Sequence, residues 1–263
     1  YNVARFGKLY HQSMPGEKFH DNDDSLSWHS TYNPTGFETK LYDSCKTYFS
    51  ETRNTNTSVN YLYTIDYTHA EPHSDELLTE KAIAFLKENK NKPFFCAVGF
   101  YRPHAPYIAP KEYFDRYPLE SIIPSSEEAD TLLYSALAYE SFNLPKYKSM
   151  SVQKKKEIIQ AYYASISLVD DQVGKLLAAL QESGIDKNTL IVFTSDHGYA
   201  LGQHGFWQKH ALFDVVTQVP LLVRYPEGKA VGKKDETMVE LIDLYPTLTE
   251  WAGIKAPKTD GIS

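Results

Sequence analysis

Residues 189–210 read TLIVFTSDHGYALGQHGFWQKH, and how this stretch is parsed decides the fold. NTLIVFTSD (188–196) is a short apolar run with polar ends, which predicts a buried strand. That strand empties into Asp196-His197, then three glycines, two more histidines and Lys209. A loop that had only to turn would not need so much titratable chemistry. In open α/β sheets, ligands collect outside the carboxyl ends of strands, so the stretch reads as a strand delivering a site.

Its neighbours fit that reading. SDELLTEKAIAFLKENK (74–90) has a Ser as candidate cap and apolar residues at helical spacing. KPFFCAVGF (92–100) is a second buried-strand candidate and VPLLVRYP (219–226) a third. Between them, Ile158, Ile159, Tyr162, Tyr163, Ile166, Val169, Val173, Leu176, Leu177 and Leu180 recur at three- and four-residue steps. They predict one long helix over about 152–183, with Gly184 as its stop. MVELIDLYPTLTEWAG (238–253) predicts a further helix, bent or divided by Pro246. Residues 20–72 and 117–150 lack a sustained period and read as irregular insertions. The alternation of strands and helices predicts one α/β domain across 1–263.

Composition narrows the function. A chain of 263 residues can bury a sizeable core. A net charge of −7 argues against a nucleic-acid surface, so any anion site must be a local cluster of cations. Cys45 and Cys96 have no metal-ligand spacing and define no disulfide framework. No apolar run reaches membrane-spanning length. The opening YNVARFGKLYH resembles neither a signal peptide nor a natural start, which predicts a longer polypeptide.

Two strand ends carry the chemistry. After FFCAVGF comes YRPHAPY, with Arg102 and His104; after LIVFTS come Asp196 and His197. Asp196 can give a hard cation its oxygen and His197 a nitrogen, while Gly198 lets the backbone pass close to a bound group. Lys209 lies on the same loop, and GKLYH contributes Lys8 and His11. A metal, ammonium groups on non-bridging oxygens and an imidazole that can protonate a leaving oxygen suit a tetrahedral oxyanion ester. Singly, each has a plainer account as a surface lysine, a turn cap or a polar contact.

RFGKLYH, KPFFCAVGFYRPHAPY, YYASISLVDDQVGKLLAAL, TLIVFTSDHGYALGQHGFWQKHALFDVVTQVPLLV and LIDLYPTL together resemble the sulfatase family, in its iduronate-2-sulfatase branch with bacterial relatives. The resemblance implies an alkaline-phosphatase-like α/β sandwich with a mostly parallel central sheet flanked by helices. It implies calcium, a formylglycine nucleophile and hydrolysis of sulfate esters on a sulfated carbohydrate such as a glycosaminoglycan. By position, Asp196 and His197 resemble the calcium-side pair, Lys8 and Lys209 the sulfate-holding lysines, His104 the ester-side histidine and His11 the one supporting the nucleophile. Tyr199 and His210 fall where that branch lines its sugar pocket. A lysosomal, periplasmic or secreted setting is the family's habit.

The chain also departs from the family pattern. No C/S-x-P/A-x-R motif is present, since Cys45 sits in DSCKTYF and Cys96 inside a strand, so the chain holds no nucleophile. Neither Asp23-Asp24 nor Asp170-Asp171 fits the early-strand aspartate pair. These absences, with the ending KAPKTDGIS, predict an internal part of a catalytic domain, inactive alone. Two other readings stay open. One is a phosphoester hydrolase with zinc on His197, His204 and His210. The other is a non-catalytic glycan binder stacking sugars on Tyr101, Tyr199, Phe206 and Trp207.

Overall fold

The computed structural model describes residues 1–10, 24, 26–47, 63–68, 71–126, 150–226 and 232–263. Strands β1 (Asn2–Gly7), β2 (Ser30–Tyr32) and β5 (Phe94–Gly99) form a parallel sheet in the order β2-β1-β5. β1 and β5 run in strict register from Asn2↔Phe94 to Gly7↔Gly99, so both strands end at one level. A second sheet joins β3 (Lys46–Thr47), β4 (Tyr63–Tyr67) and β6 (Tyr107–Pro110), with β4 parallel to β6. Ordered strands therefore lie within 20–72, where alternation in the sequence is too short to show a period.

Helix α1 (Ser74–Glu88) packs Leu78, Ala82 and Phe85 on Ala4 and Phe6 of β1. Its cap is His73, not the expected Ser74. The His73 ring accepts from Asp75 N (3.1 Å), and the Glu76 carboxylate accepts from His73 N (2.8 Å). Ser74 is drawn instead to Glu38, whose Oε2 accepts from Ser74 N at 3.1 Å.

After the single turn α2 (Lys111–Phe114) comes the long helix α3 (Val152–Glu182), close to its expected span. Ser151 accepts from Lys154 N at its start (3.2 Å), and Gly184 follows its end at φ +70°. Ile158, Ile159, Ala161, Ala164 and Leu168 are buried with Tyr107 and Trp207 in the main core. Each large side chain taken out of water there contributes about 1.5–3 kcal/mol. The buried stripe is narrower than the apolar pattern, because Tyr163, Ile166 and Leu177 face outward.

β7 (Ile191–Thr194) pairs antiparallel with β10 (Leu221–Arg224). Both were expected to be buried strands, yet Phe193, Leu222 and Val223 are exposed. Among the described residues the two pair only with each other, so their faces are covered as a ribbon's are, not as a central sheet's. Between them lie a small hairpin, β8 (Ala200–Leu201) with β9 (Trp207–Gln208), and the short helix α4 (Asp214–Thr217). The last helix, α5 (Leu244–Trp251), is shorter than expected. It follows directly on a 3₁₀ turn, Leu241–Asp243, and Pro246 sits in its first turn, so the helical stretch is divided near the proline.

Candidate active site

Lys8 is seated by two glycines. Gly7 adopts φ +77°, a conformation open to glycine, and Lys8 N donates to Gly99 O at 2.7 Å. A Cβ on Gly99 would lie 1.9 Å from Lys8 O, and one on Gly7 would lie 2.1 Å from Gly99 O. The two parallel strand ends thus lie side by side at a distance that only glycines permit.

Beyond β5 the chain turns through Arg102-Pro103-His104-Ala105-Pro106, with both X-Pro peptides cis. Asp75 at the start of α1 holds this turn: Oδ1 accepts from Tyr101 N (2.7 Å) and Oδ2 from Arg102 N (3.1 Å). His104 Nδ1 lies 2.7 Å from Ala105 O, so Nδ1 carries the proton and a neutral ring keeps its lone pair on Nε2. Burial first, then the charge of Lys8, push the His104 imidazole down to about 3; the Ala105 bond opposes them, and Lys209 and Arg102 add weaker downward effects. Lysines far apart in the sequence therefore act on one ring.

The β8–β9 hairpin explains how Lys209 arrives. Ala200 pairs with Gln208, which sets Tyr199 and Lys209 at the same open end. His210 is pushed down by burial, then by Lys209 and His197, so these three share a neighbourhood. Tyr199 stacks on Tyr162 (5.3 Å, 27°) and meets the edge of Tyr107 (6.3 Å, 87°). Asp196 lies near that wall: burial foremost, then its charge, pushes the Tyr162 hydroxyl up to about 12.

His197 Nδ1 contacts Gly198 O at 2.8 Å, and Nε2 lies 3.5 Å from Asp196 Oδ2. The expected use of Gly198 needs correction. Its N–H donates to Val216 O (2.7 Å), and a Cβ there would strike Val215 O at 2.2 Å, so it serves the docking of α4. The Asp196 side chain is 84% exposed and accepts from His197 N at 3.0 Å. One carboxylate and one imidazole do not make a calcium cage, which takes six to eight oxygen ligands. Among the described residues no group of three His, Cys, Asp or Glu side chains gathers to hold a metal. Asp196 and His197 could give a cation two ligands, short of the number calcium takes.

Lys8, His104, Asp196, His197, Tyr199, Lys209 and His210 are thus linked through neighbouring contacts and charges, while His11 lies outside the described residues. The zinc alternative loses support, because His197, His204 and His210 do not gather into a metal-holding group among the described residues. The glycan-stacking alternative loses most of its surface, since Tyr101, Phe206 and Trp207 are buried. Sequence reasoning missed the groups that hold the His104 turn: Glu38, His73 and Asp75. Arg102 was visible in the RPH triplet, but its partners come from distant segments that no local pattern points to.

The Sulfatase family profile matches residues 22–254. A sulfatase of Formosa agariphila is 35% identical over 97% of this chain and 50% of its own length. Human iduronate 2-sulfatase is 32% identical over 98% of this chain and 53% of its own length. The chain spans about half the length of these curated relatives. In fold, it superposes on a phosphonate monoester hydrolase from Silicibacter pomeroyi with a TM-score of 0.72 at 22% identity, covering 100% of this chain and 58% of that one. The α/β architecture, the converging strand ends and these matches agree: the chain belongs to the sulfatase family.

Proposed function

We propose that the whole protein hydrolyses sulfate esters of a sugar, with an iduronate-2-sulfatase-like preference for a sulfated uronic acid within a glycosaminoglycan. The observation that supports this most directly is the joint pressure of Lys8 and Lys209 on the His104 ring. Two ammonium groups within electrostatic reach of one imidazole suit a tetrahedral anion. Lys8 and Lys209 neutralise the non-bridging oxygens. The unliganded His104 is neutral; an anion arriving among the cations raises its proton affinity, and the protonated ring can then serve the departing sugar hydroxyl. Tyr199 and His210 line the sugar side. His11 supports the nucleophile, a formylglycine hydrate of the full-length protein. Calcium, held in part by Asp196 and His197, would supply positive charge that offsets that of the ester. The same reading places the protein in a lysosome, a periplasm or the exterior. No described helix is long and apolar enough to cross a membrane.

The test is hydrolysis of aryl sulfate against aryl phosphate esters by the full-length, matured protein, with metal content measured. Sulfate turnover that dominates, and falls on chelation, supports the reading. Lys209→Ala should lower kcat/KM by about 10²–10³ while the fold survives. Dominant phosphate turnover, or full activity of Lys209→Ala, would overturn it.

A further inference from the structure

Behind His104 the structure buries a set of charged and polar groups that an apolar core would avoid. Glu38, His73, Ser74 and Asp75 are wholly buried and Arg102 is 2% exposed. Arg102 reaches three ways: its N–H to Asp75 Oδ2, Nη1 to His104 O at 2.5 Å, and Nε towards His73 Nε2 at 3.3 Å. His73 Nδ1 accepts from Asp75 N at 3.1 Å, and its Nε2 lies 3.7 Å from Glu38 Oε1. A neutral imidazole has one lone-pair nitrogen. The helix cap and the Arg102 Nε contact therefore compete for it, and only one is a full hydrogen bond at a time.

Burying ions gains little stability over apolar packing, so their use here calls for another account. Geometry supplies it. Three backbone atoms within four residues are pinned: Tyr101 N and Arg102 N by Asp75, and His104 O by Arg102. With the backbone fixed, the bond from Nδ1 to Ala105 O uses up the remaining freedom of the ring.

We propose that Asp75 and Arg102 are positioning residues that fix the Tyr101–His104 turn and so aim the His104 ring at the ester's leaving oxygen, with His73 and Glu38 holding the pair in place. This rests on the sulfate-ester reading for its chemistry. His73 and Glu38 belong to separate segments, so the aim of the ring is set jointly by α1, the turn after β5 and the 3₁₀ segment Phe37–Ser44.

The test compares two sulfate esters on the full-length, matured protein: a nitrophenyl sulfate, whose phenolate leaves unaided, and a sugar sulfate, whose alkoxide needs a proton. Arg102→Met and Asp75→Asn should lower kcat on the sugar ester about 10²-fold. KM should stay within about threefold, and the nitrophenyl ester should lose less than about tenfold. Arg102→Lys, whose ammonium can still donate to His104 O, should recover most of the loss. Equal losses on both esters in a folded variant, or a full rate in Arg102→Met, would overturn the proposal. Should Arg102→Met not fold, Asp75→Asn carries the same comparison. If the unmodified protein cleaves neither ester, the sulfate reading fails, and the positioning claim is read from ¹⁵N shifts of His104. These should show one tautomer, protonated on Nδ1, in the unmodified protein and a mixture in Asp75→Asn. The same single tautomer in both would sink it.

Discussion

Lys8 and Gly99 meet main chain to main chain: Lys8 N donates to Gly99 O at 2.7 Å where β1 and β5 end together. The position of the Lys8 ammonium therefore depends on a residue with no side chain of its own. Gly99→Ala would thrust a methyl group to 1.9 Å from Lys8 O, which is backbone and cannot swing aside. We expect a loss of about 1–3 kcal/mol from overpacking, read as a lower urea midpoint, together with reduced activity. An unchanged midpoint would show that the strands separate freely.

His104 makes acid stability testable. Its folded-state value, about 3, lies below the ordinary 6.5, so between those values the unfolded chain binds the extra proton. Its contribution is present above about pH 6.5 and is lost as pH falls towards 3. Asp75 acts in the opposite sense: burial, partly offset by Arg102 and two backbone bonds, raises it to about 6, which favours the folded state below that value. His104→Gln removes the first effect and leaves the second. In thermal melts the variant should gain on the unmodified protein as pH is lowered from about 7 to about 4.5. A gap that stays constant with pH would refute this.

The two cysteines should react differently. Burial in β5 pushes the Cys96 thiol up to about 12, from 9.0, which cuts its thiolate about 10³-fold. By exposure both cysteines are half-buried; Cys45 Sγ lies 3.4 Å from Leu41 O. Iodoacetamide at mild alkaline pH should label Cys45 well before Cys96, as peptide masses would show. Equal labelling rates would mean that β5 opens readily. An inert Cys96 also agrees with its exclusion as a nucleophile.

Much of the site was legible because its residues follow strands in short, dense runs. SDHG and RPH mark the ends of β7 and β5, and an apolar run that stops at charged residues is visible without any tertiary knowledge. The long helix was legible for the same reason, since thirty residues of one period outweigh local noise. Illegible were the groups that act across the fold. Asp75 looks like an ordinary first-turn acid, and only the turn at Tyr101 and Arg102 gives it work. β4 escaped notice because five residues, Tyr63–Tyr67, alternate too briefly and find their partner β6 forty residues later. The exposure of β7 and β10 could not be read from hydrophobicity, which reports what a strand could bury and says nothing of what covers it.

That last pair has a practical side. Phe193, Leu222 and Val223 present oily side chains to water on a two-stranded ribbon whose outer hydrogen-bonding groups face no third strand among the described residues. Such a rim sticks to its own kind. Purified as this span alone, the polypeptide should self-associate with rising concentration, and a lysine at Leu222 should keep it dispersed.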